Sequence, residues 1–442
     1  MQTNFTEAQL KDPQTAYSES VLRRCVHCGF CTATCPTYQL LGDELDSPRG
    51  RIYLIQRMLE EDAPPSAKTV THLDRCLSCL ACVTTCPSGV DYMRLIDHAR
   101  AHIEETYARP PADRAFRALL ATVLPNPLLF RLSLRCAALA RPFRRAFSGR
   151  LRALLDAAPS RLPSPAAGGD ATTLAGGSRK RVALLTGCVQ PTLAPEINAA
   201  TIRLLTKVGC AVVVAPAASC CGALVHHLGR EEAARETARR NVAAWSAEVD
   251  KGGLDALIVN ASGCGTMVKD YGTLLADDAA YKDRAARIAA IAKDVVEFLD
   301  EEDIAFETPQ RGRVAYQSAC SMQHGQGIRL TPQKLLRRAG FDVVEPAESH
   351  LCCGSAGAYS FLQPEIAGRL RDRKAGHLSA LKADIVASGN IGCITHLRGA
   401  VEAEILHTVQ LLDWAHGGPD PRRRRGSDAS AENVSEAKGD SQ

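Results

Sequence analysis

Cys25-Val-His-Cys28-Gly-Phe-Cys31-Thr-Ala-Thr-Cys35-Pro36 and Cys76-Leu-Ser-Cys79-Leu-Ala-Cys82-Val-Thr-Thr-Cys86-Pro87 are the two stretches around which this 442-residue chain is organised. Each steps Cys-x2-Cys-x2-Cys-x3-Cys-Pro, and the closing proline ends the local turn while withholding an N–H. Between them Ser47-Pro48 reads as an N-cap followed by a first-turn proline, opening a helix through Ile52, Ile55, Met58 and Leu59. The insert is therefore helical rather than a β-hairpin.

Four evenly stepped cysteines closed by proline form the pattern that holds cubane iron–sulfur clusters, in which three close cysteines wrap one cluster and the fourth reaches the other. On that rule Cys25, Cys28, Cys31 and Cys86 belong to one 4Fe-4S cluster, and Cys76, Cys79, Cys82 and Cys35 to a second. Zinc knuckles use two separated Cys-x2-Cys pairs, so the spacing argues against zinc here.

The length calls for two or three domains, and 45% hydrophobic content supplies each with a core. A net charge of +4 is too small for the size to imply nucleic acid. Of the 18 cysteines, twelve lie in the two runs or in Cys-Cys pairs, and no charged-then-apolar leader opens the chain; reduced cytosolic thiolates holding metal are expected rather than disulfides. The most apolar window, Ala118 to Phe130, is broken by Pro125 and Pro127, short of the roughly 20 apolar residues that a spanning helix needs.

In chain order, residues 1–20 are expected as a flexible lead-in, 21–110 as a two-cluster ferredoxin-like domain and 111–156 as a basic helical segment. Residues 157–180 read as a Pro/Ala/Gly/Ser linker, 181–308 and 309–416 as two halves of a repeat, and 417–442 as a disordered tail. The basic segment carries seven arginines from Arg131 to Arg152, with Arg161 beyond, and no acid before Asp156. Two readings stand: a solvated helix face covering the cluster domain, or attraction to anionic lipid at the inner membrane face of a cytoplasmic protein.

The repeat shows in the cysteines. Cys188 to Cys220 spans 32 residues, as does Cys320 to Cys352, and the two pairs are offset by 132. Cys188, Cys220, Cys221 and Cys264 thus correspond to Cys320, Cys352, Cys353 and Cys393. Each follows a short apolar run: 181–186, 211–215 and 256–260 in the first half, 313–317, 341–345 and 384–388 in the second. Helices alternate with them, one from Pro195 to Gly209 and its counterpart from Thr331-Pro332 to Gly340. The alternation implies parallel sheets with ligands beyond the carboxyl ends of the strands, where each set of four cysteines converges. A further cluster, zinc, or a redox dithiol would each suit such a set. Histidines 226, 227, 324, 350 and 396 are expected as polar neighbours or donors, and Cys136 and Cys210 as packing residues. The fold class is α+β overall: a mostly helical two-cluster domain followed by a duplicated α/β unit.

No Gly-x-Gly-x-x-Gly after a strand and no Walker loop is visible, so a flavin or nicotinamide is expected only in another subunit. Two ferredoxin runs followed by two Cys-Cys-Gly domains resemble the iron–sulfur subunits of flavin-linked dehydrogenases: glycolate oxidase, anaerobic glycerol-3-phosphate dehydrogenase, lactate-utilisation proteins and heterodisulfide reductase. The glycolate oxidase type is the nearest in Cys31-Thr-Ala-Thr-Cys35-Pro36-Thr-Tyr38, Ser47-Pro-Arg-Gly-Arg-Ile-Tyr-Leu54, and His72-Leu-Asp-Arg-Cys76 through Thr85-Cys86-Pro-Ser-Gly-Val90. The resemblance implies an electron conduit: partner FAD subunits oxidise glycolate to glyoxylate, and electrons pass through the clusters towards membrane quinone. Glycerol 3-phosphate or lactate is the alternative substrate, and a zinc-binding or thiol redox-sensing module the alternative class. One departure stands out. Heterodisulfide reductase relatives end each domain in Cys-x2-Cys, whereas Ala261 and Asn390 precede Cys264 and Cys393 here, leaving four cysteines per half rather than five.

Overall fold

Ser47 decides where the central helix begins. Its side chain accepts a 2.9 Å hydrogen bond from the Gly50 N–H, Pro48 fills the first turn, and the helix runs Pro48–Glu61. In this computed structural model, which describes residues 1–159, 163, 172–173, 179–306 and 312–422, that helix packs with Pro13–Arg24 and Tyr92–Thr106 through Leu22, Ile55, Leu95 and Ile96. Most of the expected linker, Arg161, and residues 423–442 of the expected tail lie outside the described residues.

The expected loose lead-in is instead packed. The Met1 amino group donates to the Cys25 carbonyl at 2.9 Å and Gln56 donates to the Gln2 carbonyl at 2.7 Å. Met1 and Phe5 lie against the cluster-domain core, and that apolar cover is what holds the segment down.

The basic segment folds as a helix Pro127–Ala140, a 3-10 turn Arg141–Ala146 and a helix Gly149–Ala157. Its inward side chains, Phe130, Leu134 and Leu154, pack on Leu228 of the first repeat and on Ala358, Phe361 and Leu362 of the second. So its part 127–157 covers the apolar groove between the repeats, while the preceding helix Pro111–Val123 is tied to the cluster domain by Arg117 and Asp74 at 2.7 Å. No single helix among the described residues is long and apolar enough to cross a membrane; the helical stretches 111–123 and 127–146 meet at 118°.

Nine strands are seen among the described residues: β1 (Thr172–Thr173), β2 (Lys180–Leu185), β3 (Cys210–Val213), β4 (Ala256–Val259), β5 (Ala292–Asp294), β6 (Arg313–Gln317), β7 (Asp342–Val344), β8 (Ile385–Ser388) and β9 (Glu404–His407). They form sheets of order β1-β3-β2-β4-β5 and β7-β6-β8-β9. All neighbours pair in parallel except β1 with β3, with Leu184 opposite Ile258 in one sheet and Tyr316 opposite Ala387 in the other. Strands β3, β4 and β8 are buried throughout, as parallel strands covered by helices must be. The class is α+β, as expected.

The two repeats embrace symmetrically. The first long helix of repeat one, Pro195–Lys207, packs on the last of repeat two, Thr408–Ala415, where Arg203 pairs with Asp413 at 2.6 Å. Reciprocally, Val295–Glu301 of repeat one packs on Thr331–Arg338 of repeat two. One continuous core spans both sheets. Behind the first sheet, fully buried Trp245 stacks on Tyr271 with ring centroids 6.4 Å apart. Trp245→Ala is expected to cost about 3–5 kcal/mol, read as a fall in the urea midpoint.

Candidate cluster cavities and thiol sets

Two adjoining cavities lie on the Pro48 end of the central helix. The outer one, about 440 Å³ including its mouth, is lined by Cys25, Cys28, Cys31 and Cys86, together with Cys82, Arg49 and Tyr92. Its rim is open: Cys28 is exposed, and Val26 and Phe30 are 69% and 61% exposed. Arg49 here donates to the His27 carbonyl at 3.3 Å and is paired with Glu44 at 2.8 Å. Burial pushes the Cys31 thiol up to about 11.

The inner cavity, about 310 Å³ including its mouth, is lined by Cys35, Cys76, Cys79 and Cys82 with Arg51, Leu77, Leu80 and Tyr92. Here all four cysteines are buried. The Tyr92 hydroxyl donates to Cys76 Sγ at 3.7 Å, and the Ser78 N–H donates to the same sulfur at 3.5 Å. Burial first, then the neighbouring thiols, holds Cys79 and Cys82 above the ordinary thiol value. Iron would reverse that cost, since a cation favours thiolate. The outer cavity thus gathers three sulfurs of the first run with Cys82 and Cys86 of the second, and the inner three of the second run with Cys35 of the first, enough in each for the four that a cubane cluster takes.

In the repeats, Cys188 follows β2 and Cys264 sits on the helix Ser262–Lys269 after β4. These two strands flank the point where the sheet order reverses, which is where open α/β sheets collect ligands. Cys220 and Cys221 arrive on the loop after β3, and the thiols influence one another's ionisation in the chain Cys188, Cys220, Cys221, Cys264. Repeat two repeats the chain, with Cys320 and Cys352 sulfurs 3.7 Å apart, then Cys353 and Cys393. One thiol of each set, Cys220 and Cys353, is held low by the hydrogen bonds of its neighbours, to about 3 for Cys220. Asn390, standing where the heterodisulfide reductase pattern has a cysteine, donates to Cys393 Sγ at 3.6 Å.

The two thiol sets are placed differently. Leu77 and Cys79 of the inner cavity, with neighbouring Ala81, pack directly with Cys320, Cys352 and Tyr359 of repeat two, and Tyr359 donates to the Arg75 carbonyl at 3.0 Å. Repeat one meets the cluster domain through the close approach of Gly229 to the Arg100 carbonyl and through ion pairs, Arg94 with Asp270 and Arg230 with Glu104.

Among the histidines, His324 Nε2 donates to the His350 carbonyl at 3.0 Å while its Nδ1 accepts from Thr84 at 2.8 Å, and His396 donates to the Ala367 carbonyl at 3.2 Å. They act as tethers between segments. Cys210 is buried as expected, but Cys136 is exposed on the outer side of the basic helix.

What the cysteine pattern does not reveal is a buried polar group beneath the inner cavity. Asp46, fully buried, accepts from Arg51 at 3.4 Å and Arg75 at 2.9 Å and lies 3.0 Å from His72 Nδ1. The available signal was that Arg51 falls on the same helix stripe as Pro48, Ile52, Ile55 and Leu59.

The glycine after each cysteine pair is required by the turn into the following helix. Gly222 and Gly354 have φ of +84° and +93°, and their N–H groups donate to Cys220 Sγ and Cys352 Sγ, both at 3.4 Å. A Cβ at Gly354 would sit 2.6 Å from the Ala367 carbonyl oxygen, against 3.4 Å from that of Ala234 at Gly222. Gly222→Ala is expected to cost about 1–2 kcal/mol from its φ alone. Gly354→Ala should cost distinctly more; chemical denaturation of both variants measures the difference.

The 4Fe-4S dicluster domain family matches residues 21–90, and the cysteine-rich domain family matches residues 182–269 and 314–398. The glycolate oxidase iron-sulfur subunit of Escherichia coli K12 is 42% identical over 94% of this chain and 99% of its own length. A probable glycolate oxidase iron-sulfur subunit of Bacillus subtilis 168 is 33% identical over 93% of this chain and 99% of its own. Lactate utilization protein A of Geobacillus kaustophilus is 26% identical over 53% of this chain and 98% of its own. A crystal structure of a hypothetical protein from Helicobacter pylori shares the fold, with a TM-score of 0.52 at 10% identity, covering 93% of this chain and 74% of that one. On cavities, thiol sets and full-length similarity together, the chain belongs to the family of glycolate oxidase iron–sulfur subunits.

Proposed function

We propose that this chain is the electron-transfer subunit of a flavin-linked glycolate dehydrogenase, carrying electrons from a partner FAD subunit towards membrane quinone. The observation that carries the reading is the pair of adjoining cysteine-lined cavities, one with the exposed Cys28 on its rim and one whose four cysteines are all buried. Cys25, Cys28, Cys31 and Cys86 would hold the outer 4Fe-4S cluster, and Cys76, Cys79, Cys82 and Cys35 the inner. When bound, such clusters supply one-electron carriers.

The residues around them perform the rest. Val26 and Phe30 give the outer rim an exposed apolar collar, the kind of surface on which a partner flavoprotein docks. Buried Leu77, Leu80 and Tyr92 give the inner cavity an apolar wall. Beyond it, the set Cys320, Cys352, Cys353 and Cys393, whose Cys320 and Cys352 pack against Cys79, is the nearer of the two additional metal sets; Cys188, Cys220, Cys221 and Cys264 form the other. Each set offers four thiolates, the number that a cluster or zinc takes.

Membrane contact is assigned to the basic helix. Leu128, Leu132, Leu139 and Phe143 are 81%, 55%, 79% and 69% exposed, alongside Arg135, Arg141, Arg144 and Arg145. An apolar outer face with that many arginines fits the interface of an anionic bilayer.

Iron and sulfide analysis of anaerobically purified full-length protein is expected to give at least about eight irons per chain, four per cubane cluster; zinc without iron would reject the reading. In the complex co-purified with its flavoprotein subunits, glycolate should bleach the visible cluster absorption; bleaching by lactate or glycerol 3-phosphate but not glycolate would reassign the substrate. Changing Arg135, Arg141, Arg144 and Arg145 to Gln together should abolish co-sedimentation with phosphatidylglycerol vesicles, and unchanged binding would reject this segment as the anchor.

A further inference from the structure

The two cavities are treated unequally by charge. Arg51 is 1% exposed, one of the largest fully buried side chains of the molecule, and it lines the inner cavity only. Its guanidinium is held on every side: Nε donates to the His72 carbonyl at 2.8 Å, Nη2 to Thr37 Oγ1 at 3.0 Å, and Nη1 points at Cys35 Sγ at 3.9 Å. Buried Asp46 is its counter-ion at 3.4 Å, yet that carboxylate is shared with Arg75 at 2.9 Å. Counting these three groups, one positive charge is left over beside the inner sulfurs. At the outer cavity the corresponding cation, Arg49, is about one-third exposed and paired with Glu44, so water and a carboxylate screen it.

Adding an electron to a four-thiolate cluster adds one negative charge. Burial by itself opposes that addition, because charge is costly in a low dielectric. A fixed buried cation favours it, and the same low dielectric strengthens the attraction. Hydrogen bonds to the sulfurs act in the same direction, and the inner cavity has those from Tyr92 and Ser78 to Cys76.

Resting on the two-cluster reading above, we infer that Arg51 sets the direction of electron flow: its buried charge holds the reduction potential at the inner cavity above that at the outer, drawing electrons inward from the exposed rim. Asp46 orients Arg51, and Arg75 keeps Asp46 from cancelling it.

The test is a redox titration of anaerobic full-length protein followed by paramagnetic resonance, in wild type and in the variants Arg51→Met, Arg51→Lys and Arg75→Gln. Wild type should show two one-electron steps. In R51M the higher step should fall so that the reduced-to-oxidised ratio at a fixed potential drops at least tenfold, about 59 mV for one electron, with the lower step unmoved. R51K should return most of the shift, and R75Q, altered at a partly exposed residue outside the cavity linings, should lower the same step by less. An unmoved higher step in R51M with full iron content overturns the inference, as does R51K falling as far as R51M. If R51M does not load iron, R75Q decides, a lowered step supporting the inference and an unmoved one overturning it. Wild type with only one cluster would instead refute the reading on which the inference rests.

Discussion

The packing of Cys35 into the cavity of the second cysteine run, and of Cys86 into the cavity of the first, is the constraint on which the cluster domain depends. Two segments separated by a helix must cross so that each completes the other's set of sulfurs. The helix Pro48–Glu61 sets that crossing, because Pro48 touches both cavities and Ser47 fixes where the helix begins. A shift of that start by a residue would turn Arg51 off the inner cavity, since successive helical residues are rotated by about 100°. The packed N-terminus serves the same end, tying Met1 to the carbonyl of Cys25.

Buried charge is the second organising element. Asp46, Arg51 and His72 lie out of water at the base of the inner cavity, where an unpaired charge would be prohibitive. They are tolerated because each is answered by another, and because four sulfurs lie on the far side. The outer cavity has no such group, and its rim faces solvent with apolar side chains. A domain built from two nearly identical cysteine runs therefore holds two physically different sites.

Duplication followed by divergence also describes the repeats. Apart from the added antiparallel β1 their sheets share one strand order, and helices near their two ends cross-pack reciprocally. Only repeat two presses its thiol set against the inner cavity, through Tyr359, Cys320 and Cys352, whereas repeat one is tied on by Arg94 and Arg230. The basic helices fill the apolar groove between the repeats and leave Leu128, Leu139 and Phe143 outward.

The cysteine spacing by itself pointed to two fourfold sets and to the 132-residue duplication, and the alternating apolar runs to parallel sheets, since ligand steps and strand periodicity are local properties written at fixed intervals. The helical insert was equally legible from Ser47-Pro48, a cap that works within one turn. The tertiary structure alone decided the rest. That residues 1–20 pack, that the 127–157 part of the basic segment covers the repeats, that Cys79 meets Cys320, and that Arg51 is buried against a shared Asp46 all depend on contacts between distant parts of the chain. Arginine on an apolar helix stripe reads as exposed until its partners are known. Those partners, Thr37, Asp46 and the His72 carbonyl, converge only when the two cysteine runs have crossed.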